Sequence, residues 1–320
     1  MNKKGIEFSF AWIFAIIVGA VIIFLAIYSA TKLIKTERSA GDSERSKEIE
    51  TILNPIQTYL ESGKSSKIEL PYETRLYNEC EEPSKFDVFG AQEIRVASKS
   101  GVGKKYESPG EPTRFLDKYL FSDKIVEGNE YYILSKPFFM PFKVSDMIII
   151  TSSAKKYCFV NPPASIEDDV ENLELKNVNV TYEVGECKSE DIKVCFSNRG
   201  CDIDVTLDLS SNELRGSVNK DKKNYYFEGN LIYGAIFSDP EIYECGLRRM
   251  MARASEISLL LLDKSAYLTS KGCGSGIMAG ELIKYSNSAL ALNNSIDLSE
   301  VSFIANEMDK VNEGLSCKLY

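Results

Sequence analysis

The 320-residue chain contains no histidine. That absence removes the side chain that most often titrates near neutral pH, and with it Ser–His and Cys–His nucleophile pairs and the usual zinc sites. No Cys-x-x-Cys pair occurs among the eight cysteines, which excludes a zinc knuckle and a thioredoxin-type motif. Basic residues are in the minority: 38 Lys+Arg against 47 Asp+Glu give a formal charge of −9, with no basic block. Affinity for nucleic acid rests on Lys and Arg contacts to phosphate, so no nucleic-acid partner is expected. Nothing in the composition calls for a cofactor or a metal, and no catalytic pair stands out by spacing. Long uncharged runs are scarce as well. There is one.

That run covers residues 8–31 (FSFAWIFAIIVGAVIIFLAIYSAT), between Glu7 and Lys32. As a helix it is about 36 Å long at about 1.5 Å per residue, more than the roughly 30 Å of a bilayer's hydrocarbon core. Trp12 and Tyr28 lie towards its two ends, where amphipathic aromatics favour the interface. It reads as a membrane helix, with residues 1–7 as a short cytoplasmic N-terminus and the lipid bilayer as the first partner. Ala11, Ala15, Gly19 and Ala26 offer a small-residue packing face, on which another copy or another membrane helix protein would sit closely. The apolar stretches at 147–151 and 259–262 are too short to span, so a single pass is expected.

Lys3-Lys4-Gly5-Ile6-Glu7, directly before this helix, resembles the class III signal of type IV pilin-like proteins, archaeal ones especially. The resemblance implies cleavage by a prepilin-type peptidase between Gly5 and Ile6, so that Lys4, Gly5, Ile6 and Glu7 form the processing site. The family carries its acid at the fifth mature position, whereas Glu7 stands at the second. The likeness covers about 30 of the 320 residues. The chain as a whole is similar to uncharacterised archaeal membrane-anchored proteins, a resemblance that implies no activity.

Two signals bear on which side holds the large body, and they disagree. Lys32, Lys35, Arg38, Arg45 and Lys47 follow the span, against Lys3 and Lys4 before it, and read literally this bias holds the body inside. Long domains, however, translocate largely regardless of charge. The cysteines point outward: Cys80, Cys158, Cys187, Cys195, Cys201, Cys245, Cys273 and Cys317 all follow the span, several beside glycine turns at Gly185, Gly200 and Gly272. Such placement suits disulfides, which persist in oxidising compartments. Eight cysteines allow 105 pairings, so connectivity stays open.

Beyond the membrane, residues 32–65 read as a linker and stalk helix. Its stripe is Ile49, Leu53, Ile56 and Leu60, with a kink expected at Pro55 and a stop at Gly63. Residues 66–237 read as a β-rich domain, with strands expected at 67–70, 93–97, 131–134, 147–151, 156–160, 178–184, 203–209, 224–227 and 231–237. Residues 238–320 read as a helical region packed on it. Ser238-Asp-Pro-Glu241 is expected to open its first helix as a capping box, and Val301, Ile304, Met308, Val311 and Leu315 form the buried face of its last. The fold class is α+β.

Weak motifs complete the reading. Gly274–Ala279 matches GxGxxA but follows a helix, which makes it a turn. Ser100–Lys105 echoes a phosphate loop with both ends of the Walker pattern broken. Asp202, Asp204 and Asp208, with Glu167, Asp168, Asp169 and Glu171 upstream, offer enough carboxylates for calcium but lack an EF-hand spacing, and read as a solvated face. Phe138–Phe142 reads as core. The expected function is a single-pass, extracytoplasmic structural or interaction protein of the cell surface, pilin-like by the resemblance above. The alternatives are a ligand-binding or enzymatic ectodomain using the acidic region, and a cytosol-facing anchored protein with free thiols.

Overall fold

A computed structural model of the chain describes residues 10–59, 65–99, 105–196, 200–208 and 214–320. Helix α1 (Phe10–Tyr59) leads into six strands: β1 (Ser65–Glu81), β2 (Ala91–Ser98), β3 (Thr113–Phe115), β4 (Tyr119–Phe121), β5 (Ile125–Phe139) and β6 (Lys143–Ser152). A second set follows as β7 (Tyr157–Val160), α2 (Ala164–Asn172), β8 (Val178–Thr181), β9 (Ile192–Cys195), β10 (Ile203–Leu207), β11 (Arg215–Lys220) and β12 (Lys223–Glu228). The chain then turns helical, with α3 (Leu231–Phe237), α4 (Pro240–Ser270), α5 (Ala279–Ala291) and α6 (Leu298–Glu313). The fold is α+β, with an apolar N-terminal helix, a sheet-rich middle and helices at the C-terminal end.

The first sheet has the order β3-β2-β1-β5-β6-β4. Only Leu116, Asp117 and Lys118 separate its two edge strands, a connection that reaches about 14 Å at most. Six strands laid flat would hold those edges about 24 Å apart. The sheet therefore curls towards closure. Its concave face is filled from all six strands, by Leu76, Ile94, Phe115, Leu120, Ile133 and Ile148 among others.

The second sheet has the order β12-β11-β10-β9-β7-β8. Strands β8, β7, β9 and β10 run parallel, because α2 carries the chain back between β7 and β8 as a parallel crossover requires. Its inner face sends Tyr157, Phe159, Val194, Ile203 and Val218 into the main core, where α3 is buried on every side. Its outer face, at Cys158, Val160 and Cys195, is closed by the disulfides Cys158–Cys187 and Cys195–Cys201.

Several expectations need correction. The run 231–237 is helix α3, not a strand: a short, wholly apolar stretch satisfies both patterns when every residue is buried. The strand expected over 178–184 stops at Thr181, and a 3₁₀ turn takes Val184–Glu186. The capping box at Ser238 and Glu241 does not form. Asp239 is the N-cap residue and caps nothing with its side chain. It accepts instead from the Lys124 backbone N–H at 2.8 Å, while Glu241 pairs with the Lys124 ammonium. Of the two readings of the stretch from Gly41 to Lys47, linker or weak helix, the helix holds: α1 runs unbroken through Gly41 and on past Pro55, where a kink was expected. It also docks on the first sheet, where Asp42, fully buried, accepts from the Ser98 N–H at 3.1 Å and from its hydroxyl. Leu60, Gly63, Leu209 and most of the Ser100–Lys105 turn lie outside the described residues.

Phe138, Met140 and Phe142 are core as expected, while Phe139 faces outward. Phe121 is closely packed. Its ring fits between two helices that carry glycine where they touch it: a Cβ on Gly234 of α3 or on Gly246 of α4 would stand 2.9 Å from ring carbons. Alanine at 246 gains helix propensity but forces this ring off its position. Gly246→Ala is expected to lower unfolding free energy by about 1–2 kcal/mol, read as a fall in the denaturation midpoint, with partial recovery when Phe121→Leu is added. An unchanged midpoint for the single variant would contradict the notch.

Candidate functional site

A cleft of about 760 Å³ lies where the end of β1, the start of β5, strand β12 and the first turns of α4 meet. Helix periodicity builds one wall: Glu241, Glu244, Cys245 and Arg248 fall at i, i+3, i+4 and i+7 and share a face of α4. Tyr77, Glu79 and Cys80 of β1 form the opposite wall, and Lys223 and Tyr225 of β12 close one end. The Cys80–Cys245 disulfide crosses the cleft wall and joins residues 165 apart in sequence. In the chain-entropy account, a loop of that length is worth about 5 kcal/mol of stability.

Most charges around the cleft are already matched. Lys124 pairs with Glu241, and Arg248 pairs with Glu82 while donating to the Asn293 carbonyl at 2.6 Å. Glu244 accepts from the Ser295 N–H at 2.8 Å and from its hydroxyl at 2.6 Å. Burial still pushes the Glu244 carboxyl above its ordinary range, outweighing both hydrogen bonds. Two polar atoms are left over. The Tyr225 hydroxyl, on a residue 6% exposed, has no hydrogen-bond partner, and neither has Nε of Arg248. Burial raises the Tyr225 pKa, and the charge on Glu244 adds to the effect. The cleft thus offers hydrogen-bonding groups and tyrosine faces to a polar ligand.

Directly behind it sits Arg249, whose side chain is completely buried. Its Nε donates to the Phe89 carbonyl at 3.0 Å. Nη1 donates to Gln92 Oε1 at 3.1 Å and the Lys118 carbonyl at 2.9 Å, and Nη2 to the Phe115 and Leu116 carbonyls at 3.4 and 3.1 Å. All five N–H groups are used. The guanidinium also lies 5.0 Å from the centroid of the Tyr119 ring. Burial lowers its pKa, since no carboxylate hydrogen-bonds to it.

The structure disperses the acidic residues singled out in sequence. Asp202 accepts from the Lys193 N–H of β9 at 2.8 Å, and Asp204 from the N–H groups of Gly200 and Cys201, so both are engaged by backbone beside the Cys195–Cys201 bridge. Asp169 pairs with the buried Lys136 at 2.8 Å and accepts from the Tyr233 hydroxyl at 2.7 Å, and Glu167 accepts from Tyr182. Among the described residues, no group of three or more acids and cysteines is placed to hold a metal ion. Ala11, Ala15, Gly19 and Ala26 lie on the exposed span of α1. Lys4, Gly5, Ile6 and Glu7 lie outside the described residues. The Gly274–Ala279 motif is an interhelical turn between α4 and α5.

Sequence reasoning missed the cleft and Arg249. The one available signal was the crowding of Glu241, Glu244, Cys245, Arg248 and Arg249 into the opening turns of α4. No family model, curated protein or solved structure matches the chain.

The raised Glu244 pKa carries a pH dependence. Folding favours the protonated carboxyl, so this contribution is present below the unfolded value near 4.5 and is lost as pH rises through the higher folded value. Glu244→Gln is expected to flatten the decline in stability over that interval, measured as denaturation midpoints at a series of pH values. An identical slope in the variant would show that Glu244 titrates normally.

Proposed function

We propose that the chain is a single-pass membrane protein whose disulfide-bonded body stands outside the cytoplasm and serves as a structural or interaction module of the cell surface. The carrying observation is the pairing of all eight cysteines. Cys80–Cys245, Cys158–Cys187, Cys195–Cys201 and Cys273–Cys317 leave no free thiol. Four cross-links in one body accord with an oxidising compartment, because cytosolic reductants keep such thiols reduced. The anchor is the segment Phe10–Ile34, long and apolar enough to cross a bilayer and not buried against the body. On this reading the signal-like Lys4-Gly5-Ile6-Glu7 is either a pilin-type processing site or part of an uncleaved signal anchor.

A second reading, a ligand-binding ectodomain, draws on the cleft with its unpartnered Tyr225 hydroxyl. It puts the ligand at α4 and β1 and away from Asp202 and Asp204, whose oxygens accept from backbone N–H groups.

Mass spectrometry of the intact, unreduced protein from its native membrane tests the topology and the processing together. Four disulfides are expected to leave it about 8 Da below the fully reduced mass, and pilin-type cleavage would further remove residues 1–5. Eight free thiols would favour the cytosol-facing alternative. Four disulfides on an uncleaved chain would leave the body outside and discard the pilin-like part.

A further inference from the structure

We infer that the turn between β1 and β2 meets the membrane, giving the body a second contact with the bilayer beside α1. This rests on the reading of Phe10–Ile34 as the span. The turn exposes Phe86 completely, with Val88 and Phe89 44% and 38% exposed, and Leu116 beside them is 56% exposed. Arg249 brings the Phe89 and Leu116 segments together by holding both carbonyls on one guanidinium, and Phe86 and Val88 precede Phe89 in the same turn, with Glu82 and Lys85 exposed beside them. A fully exposed phenylalanine next to other exposed apolar side chains marks a contact surface.

The occupant follows from the direction of α1. Asp42 is pinned to Ser98, which lies opposite Thr74 on β1, and Thr74 lies opposite Gly128 on β5. From Gly128 the sheet extends about 20 Å to Leu134, the partner of Ser65. Beyond Asp42, α1 advances about 25 Å to Tyr59, and the residues between Tyr59 and Ser65 reach at most about 20 Å. These lengths close only if α1 descends from Asp42 towards Ser65, away from the β1–β2 turn. The segment before Asp42 therefore rises towards that turn. Its contact with β3, which pairs with Gln92–Ile94 near the turn, agrees.

The span begins at Ile34, about 12 Å above Asp42 along the helix. Between Thr74 and Glu81, β1 climbs about 23 Å on the same side. The turn thus reaches the level at which α1 enters lipid, and the apolar patch is continuous with the membrane surface. Phenylalanine there inserts at the boundary between headgroups and acyl chains, where an apolar ring is removed from water.

The test uses the full chain reconstituted in phosphatidylcholine vesicles with and without lipids brominated near the headgroup end of the acyl chain. Trp12 is the sole tryptophan, so Trp12→Phe combined with Phe86→Trp gives a single reporter on the turn. Trp12→Phe with Phe139→Trp reports from the far end of β5, where Phe139 is 57% exposed. Emission from position 86 is expected to shift to the blue and to lose most of its intensity in brominated vesicles, while emission from position 139 stays unquenched. Position 86 emitting as in water, and quenched by aqueous iodide as strongly as position 139, overturns the contact. Quenching of Trp12 in the natural chain reports separately on the anchor: if Trp12 too escapes brominated lipid, the span and the turn contact both fall.

Discussion

The body of this protein depends on one turn of α4. Cys245 and Arg249, four residues apart and therefore on one helix face, both reach across to the first sheet. The cysteine makes a covalent bond to β1, and the arginine gathers carbonyls from the turn before β2 and from the β3–β4 connection. Between them, Gly246 leaves room for the ring of Phe121. A buried guanidinium without a hydrogen-bonded carboxylate is costly to desolvate, and only a full set of hydrogen bonds offsets that cost. Arg249 has such a set, so its environment tolerates little movement. The curled sheet, the cleft beside it and the exposed turn at Phe86 are all positioned by this junction.

The other cross-links stand where apolar cover is thin. The outer face of the second sheet carries two of them over a small cluster of Cys158, Val160 and Cys195. Cys273–Cys317 ties the chain end back to the turn after α4, where Ser275 also donates to the Cys317 carbonyl at 3.1 Å. Polar residues act in the same way across the main core. Buried Lys136, half-buried Asp169 and Tyr233 form an ion pair and hydrogen bond between β5, α2 and α3. Lys220, whose ammonium burial makes less basic, donates to the carbonyls of Ile236 and Ser238 at the α3–α4 junction.

The elements legible in the sequence are those whose pattern has one physical solution. Ile203, Val205 and Leu207 alternate with acids because one face of β10 is buried and the other is not. Val301, Ile304 and Met308 recur at helical spacing because α6 is half-covered. Where both faces are buried, the pattern loses its information, and Leu231–Phe237 reads equally as strand or helix. Helix α4 starts where expected, with Pro240 in its first turn, but its expected capping box is absent for a different reason. A capping box is a local signature, but Asp239 and Glu241 bond to Lys124, a partner far away in sequence. Connectivity of the cysteines and the role of Arg249 are likewise long-range facts, absent from any window of neighbouring residues. Asp204 on β10 was visible as a charge, yet its engagement by the N–H groups of Gly200 and Cys201 just before the strand was not.

The most direct measurement of this arrangement is a disulfide map, made by alkylating the unreduced protein, digesting it and sequencing the linked peptides by mass spectrometry. The account expects Cys80 to be recovered joined to Cys245, and Cys273 to Cys317. Recovery of Cys80 or Cys245 as an alkylated thiol, or joined to any other cysteine, would contradict it.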